Sequence, residues 1–106
     1  MAVTLTGGNE VLTAYLDGEI DHHNAKNLRT RIDDAVNRQR PRTLVLDFRG
    51  VSFMDSSGIG LVMGRYRQMQ QIENGKLQIA GVTQQTAKVM RLAGLDRLAK
   101  IEERKE

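Results

Sequence analysis

The sequence predicts an α/β fold, a mixed, largely parallel sheet of four or five strands packed against amphipathic helices. Three observations carry that expectation. Two strand-like segments at the start are separated by Thr6-Gly7-Gly8-Asn9, a run that tolerates the dihedrals of a tight turn, so an antiparallel hairpin is expected first. Strand patterns then alternate with helical ones, and each helical segment carries one apolar face. Right-handed crossovers return such a chain to the same sheet. At 106 residues the chain has the length of one domain, expected over residues 1–106.

Val3 and Leu5 mark the first strand. In the second, residues 11–16, Leu12, Ala14 and Leu16 fall on one face and Val11, Thr13 and Tyr15 on the other. Asp17-Gly18-Glu19-Ile20-Asp21 closes that strand and opens a helix for which Asp21 fits the N-cap. Ala25, Leu28, Ile32, Ala35 and Val36 recur at helical spacing, and the helix is expected to end before Pro41. Leu44, Val45, Leu46 and Phe48 form a short apolar run, read as a central strand buried on both faces and ended by Arg49-Gly50. A connection over 51–54 leads to Asp55-Ser56-Ser57-Gly58. Ile59, Val62, Met63, Tyr66 and Met69 then take the 3-and-4 spacing of a helix face, and Asn74-Gly75 is read as its stop. Leu77 and Ile79 alternate in a further strand. Thr83 caps a third helix with Ala87, Met90 and Ala93 inward and Val89 and Leu92 widening the apolar face, and Gly94 ends it, with Leu95 packing back. Ala99 and Ile101 suggest a last strand before a charged tail, EERKE, that frays. The order is β-β-α-β-α-β-α-β.

Residues 43–66 hold most of the functional information. Strand, turn and helix in succession put Asp55, Ser56 and Ser57 at a helix start, where backbone N–H groups lack internal partners and the dipole is positive. Two readings follow for the serines. Either one of them is the N-cap, or an exposed serine there is a site of reversible phosphorylation, since a phosphate suits that end of a helix. Gly58, Gly60 and Gly64 each cost about 1 kcal/mol against Ala inside a helix. They imply close packing by a neighbouring element or close approach by a partner at Gly58 and Gly60.

Composition narrows the classes. With no cysteine, disulfides, thiolate metal sites and cysteine nucleophiles are excluded. No apolar run reaches the roughly 20 residues that span a bilayer, and the N-terminus lacks the pattern of a signal peptide, so no membrane contact and a cytoplasmic setting are expected. A net charge of +3 with Arg38, Arg40 and Arg42 around the lone Pro41 invites nucleic acid. Interspersed carboxylates, two Tyr and two Phe, and no binding signature argue instead for a mixed-charge surface without direct nucleic-acid contact. His22 and His23 diverge by about 100° on a helix and do not face one metal together. Neither metal nor cofactor is expected.

LDGEIDHHNA at 16–25, VLDFRGVSFMDSSGIGLVMGRYRQ at 45–68 and VMRLAGL at 89–95 together resemble the anti-sigma factor antagonists, whose domain is called STAS. The likeness covers nearly the whole chain in order. It implies a STAS-like fold and a partner-switching role: the unphosphorylated antagonist binds an anti-sigma factor that is also a serine kinase and so frees the sigma factor. The kinase phosphorylates the antagonist and disables it, and a PP2C-type phosphatase restores it. By this resemblance the phosphoacceptor is Ser56, and Asp21 matches a position on the partner-binding surface, to which Asp55, Ser57, Gly58 and Gly60 are also assigned. Family members often continue into another helix, whereas this sequence ends at Glu106, which implies a differently assembled C-terminal edge.

No internal catalysis is expected. A hydrolase using Ser56 and a histidine is the enzyme-class alternative, but DSSG lacks the glycine before the serine that a nucleophile elbow requires. Another alternative keeps the domain and changes the circuit, making it a STAS scaffold or regulatory module in a stress-signalling or transporter complex.

Overall fold

The computed structural model describes residues 2–105. Its elements are β1 (Ala2–Gly7), β2 (Val11–Ile20), α1 (Ala25–Gln39), β3 (Thr43–Met54), α2 (Ser56–Met69), β4 (Lys76–Val82), α3 (Gln84–Leu92), a 3₁₀ turn (Leu95–Arg97) and β5 (Lys100–Glu103). The strands form one sheet in the order β1-β2-β3-β4-β5. β1 pairs antiparallel with β2, and every later pair is parallel. The expected order and mixed sheet are both present.

Each parallel step moves the same way along the sheet, so right-handed crossovers lay the helices on one face. Burial follows. Leu12, Ala14 and Leu16 of β2, Leu44, Leu46 and Phe48 of β3, and Leu77 and Ile79 of β4 are buried. Against them lie Leu28, Ile32, Ala35 and Val36 of α1, Leu61, Val62 and Met69 of α2, and Ala87 and Met90 of α3. The alternate residues face away from the helices.

Several boundaries differ from expectation. β3 is buried on one face only: Val45 and Asp47 are half-exposed because no helix covers that side. Nor do Arg49 and Gly50 end it. The strand runs on to Met54, since β2 also continues and Asp17–Ile20 pairs with Gly50, Val51, Phe53 and Met54 through two irregularities. The assigned N-cap of α1 is Asn24, whose side chain makes no capping bond. Asp21 caps the turn leading into the helix instead. α2 stops at Met69, and Asn74, at φ 60°, belongs to the turn before β4.

In α3, Val89 and Leu92 are exposed, Leu92 by 80%, rather than part of the core, and Ala93 is exposed as well. Thr83 caps α3 as expected, its hydroxyl accepting from the Thr86 N–H at 3.1 Å. Gly94 takes a left-handed φ of 83° and Leu95 is buried. Glu102 and Glu103 are paired in β5 rather than frayed, and the Arg104 N–H donates to the Val82 carbonyl at 2.9 Å. Glu106 of the expected tail lies outside the described residues.

Candidate partner-binding site

Register decides where the site forms. Ile20 of β2 is paired with Met54 of β3, and the Asp55 N–H donates to the Ile20 carbonyl at 3.1 Å. Asp21 and Asp55 therefore leave the sheet side by side, at the carboxyl ends of adjacent parallel strands. This is the favoured position for function in open α/β sheets.

Each aspartate organises the loop that follows it. One Asp21 carboxylate oxygen accepts from the N–H groups of His23 and Asn24, both at 3.0 Å, and its carbonyl accepts from Asn24 and Ala25. Asp55, in extended backbone, is the N-cap of α2, its carboxylate accepting from the Ser57 N–H at 2.7 Å. That bond is the main reason the Asp55 carboxyl is held below its ordinary range, and the Ser57 hydroxyl and nearby His22 add to it. The cap is thus neither serine, and with the Ser57 hydroxyl engaged at Asp55 only the Ser56 hydroxyl is left without a structural role among the described residues.

The two serines point apart. Ser56 is the first residue of α2, is exposed, and makes no side-chain hydrogen bond among the described residues. Ser57, half-buried, turns toward α1 and lines a groove of about 310 Å³ with His22, Lys26, Arg29 and Gly60. Gly58 and Gly60 separate as well. Gly58 is buried, and a Cβ there would overlap the Met54 side chain, so packing within the chain explains it. A Cβ on Gly60 would meet nothing within 4 Å.

The structure therefore gathers Asp21, Asp55, Ser56 and Ser57 on one rim, with Gly60 beside it and Gly58 beneath. It also shows what the sequence reading missed. Phe53, 53% exposed, stands on the strand end that leads into Asp55. Arg65 is buried to 5% exposure, its Nε 2.9 Å from the Asp33 carboxylate, which ties α2 to α1. Its position between Leu61 and Met69, on the apolar stripe of α2, was the available signal. No described helix is long and apolar enough to cross a membrane.

Comparison with known proteins agrees with this fold. The STAS domain family profile matches residues 2–106. A curated anti-sigma F factor antagonist of Paenibacillus polymyxa is 33% identical over 91 residues, covering 86% of this chain and 77% of that protein. The solved structure of the anti-sigma factor antagonist SpoIIAA in its unphosphorylated form superposes with a TM-score of 0.79 at 32% identity, over 94% of this chain and 87% of that one. The structure of the Bacillus cell fate determinant SpoIIAA in its phosphorylated form gives 0.73 at 32% identity, over 94% and 90%.

Proposed function

The chain belongs to the STAS domain family, and from that premise we propose that it is an anti-sigma factor antagonist switched by phosphorylation of Ser56. The unphosphorylated chain binds an anti-sigma factor with serine-kinase activity and thereby releases a sigma factor in the cytoplasm. The observation that supports this most directly is the exposed Ser56 hydroxyl at the first position of α2, left free of capping duty by Asp55.

Phosphorylation joins the Ser56 Oγ to the γ-phosphorus of ATP as the bond to the β-phosphate oxygen breaks. ADP leaves, and the hydroxyl proton passes to solvent. The product carries about −1.5 to −2 charges next to Asp55, which the helix end offsets only in part. Since Ser56 is exposed and supports no packing, the fold tolerates this change. The interface does not, because a desolvated phosphate without matched partners costs about 3–5 kcal/mol, roughly a hundredfold to a few thousandfold in affinity. The chain acts by being bound and has no chemistry of its own, and a PP2C-type phosphatase resets it by hydrolysis.

The test uses purified anti-sigma F factor from Paenibacillus polymyxa with ATP. Wild type is expected to bind and to gain one phosphate, located on Ser56 by mass spectrometry. Ser56→Ala is expected to bind without being modified, and Ser56→Asp to bind far more weakly. Phosphate on Ser57, or equal binding by Ser56→Asp, overturns the assignment.

A further inference from the structure

We infer that the groove between α1 and α2 seats an acidic helix of the anti-sigma partner. This rests on the function proposed above and extends the contact from the Ser56 rim along the helix pair.

The groove opens at Ser57 and Gly60, with a volume of about 310 Å³. A second recess of about 400 Å³ lies farther along the same helix pair, lined by Gly64 and Gln68 among others. At 1.5 Å per residue, Ser57 to Gln68 spans about 16 Å, three turns of a docked helix. Its floor is a pair of glycines one turn apart. A Cβ on Gly60 or Gly64 would meet nothing within 4 Å, so nothing inside the chain requires either to lack a side chain, unlike Gly58. Glycine in a helix interior is unfavourable, and a bare floor lets an outside backbone come close.

An independent observation comes from Arg65. This side chain lines the second recess, the residue is 5% exposed, and its NH1 is buried without a hydrogen-bond partner. A guanidinium nitrogen left so is unusual in a native fold, and it leaves positive charge at the wall of the recess, which favours an acidic occupant. Charge identifies the occupant. Lys26, Arg29, Arg65 and Arg67 line the two recesses against Asp33 as their one carboxylate. The recess beside β5, by contrast, balances three carboxylates with three cations. The basic excess is local to the helix pair, and a partner helix bearing Asp or Glu complements it.

The experiment measures binding of the Paenibacillus polymyxa anti-sigma F factor at two salt concentrations. Lys26→Glu with Arg29→Glu changes two exposed side chains, and Gly64→Leu starts from a Cβ that meets nothing within 4 Å, so both variants are expected to melt within a few degrees of wild type. Both should bind at least about tenfold more weakly, the charge variant with a flatter salt dependence. Arg97→Glu with Lys100→Glu, at a separate recess, should bind within about twofold of wild type. Groove variants that bind like wild type while Ser56→Asp is weakened overturn the groove and leave the switch standing. A wild type that fails to bind overturns the function proposed above, and the groove with it.

Discussion

Removing the counter-charge of Arg65 separates two views of what joins α1 to α2. The Arg65 side chain is 6% exposed, and its Nε lies 2.9 Å from a carboxylate oxygen of Asp33, whose side chain is 32% exposed. Burial nevertheless raises the Asp33 carboxyl above its usual value, against the pull of Arg65, and burial lowers Arg65 against the pull of Asp33. For both groups, desolvation exceeds attraction. Asp33→Leu leaves the guanidinium with neither counter-charge nor acceptor and should cost about 2–4 kcal/mol, near the lower end for a broken buried pair because water reaches Asp33. Asp33→Asn keeps an acceptor and should change stability by less than about 1 kcal/mol. Asp33→Leu with Arg65→Met removes both ions and should match or exceed wild type, as apolar replacements of buried pairs commonly do.

Urea unfolding of these variants at neutral pH, followed by circular dichroism, completes the cycle. The sign with pH follows from the raised Asp33 value. The folded chain holds that proton more tightly than the unfolded one, so the stability it confers is full below about 3.8 and is lost as pH rises through the higher folded value. Against the non-titrating Asp33→Asn, wild type should lose stability across that window. A double variant about 3 kcal/mol less stable than wild type, or an Asp33→Leu of unchanged stability, refutes the argument that desolvation dominates.

Asp55→Ala removes the acceptor of the Ser57 N–H and should lower Tm by a few degrees while leaving Ser56 exposed. Since the Asp55 carboxyl titrates below its ordinary value, its contribution is present above about 3.8 and is lost as pH falls through the lower folded value, which thermal melts at stepped pH will show. Gly58→Ala drives a methyl into the Met54 side chain and should cost about 1–3 kcal/mol. Gly60→Ala enters open space and should stabilise by about 0.5–1 kcal/mol, so denaturant midpoints moving in opposite directions check the pair.

The order of elements was legible because hydrophobic period and turn chemistry agree along most of the chain. The Thr83 cap and the left-handed Gly94 are local devices, and local sequence specifies them. β3 was less legible. Arg49-Gly50 punctuates the sequence like a strand end, yet pairing with β2 carries the strand to Met54, and that support comes from residues more than 30 positions away. Val45 beside Leu44 and Leu46 suggested burial on two faces, whereas the one-sided helix layer leaves Val45 half-exposed. Val89 and Leu92 fit an apolar face that no partner element meets. Within the site, DSSG at a helix start was readable, but whether a serine caps the helix stayed open, because spacing alone does not say which of three oxygens reaches back. The link from Arg65 to Asp33 was hidden by composition, since charged residues on helices ordinarily face water.

β2 covers Tyr15 to Ile20 while β3 covers Asp47 to Met54, so the longer strand absorbs two additional residues before delivering Ser56. That slack opens after the Tyr15–Asp47 pair, beyond the Leu44 and Leu46 pairings, at about 3.3 Å of rise per residue. Shortening or lengthening it would lower or lift Ser56 relative to Asp21 while leaving the Leu44 and Leu46 pairings in place. The stagger thereby works as a height adjustment for the rim, set apart from the packing of the sheet below it.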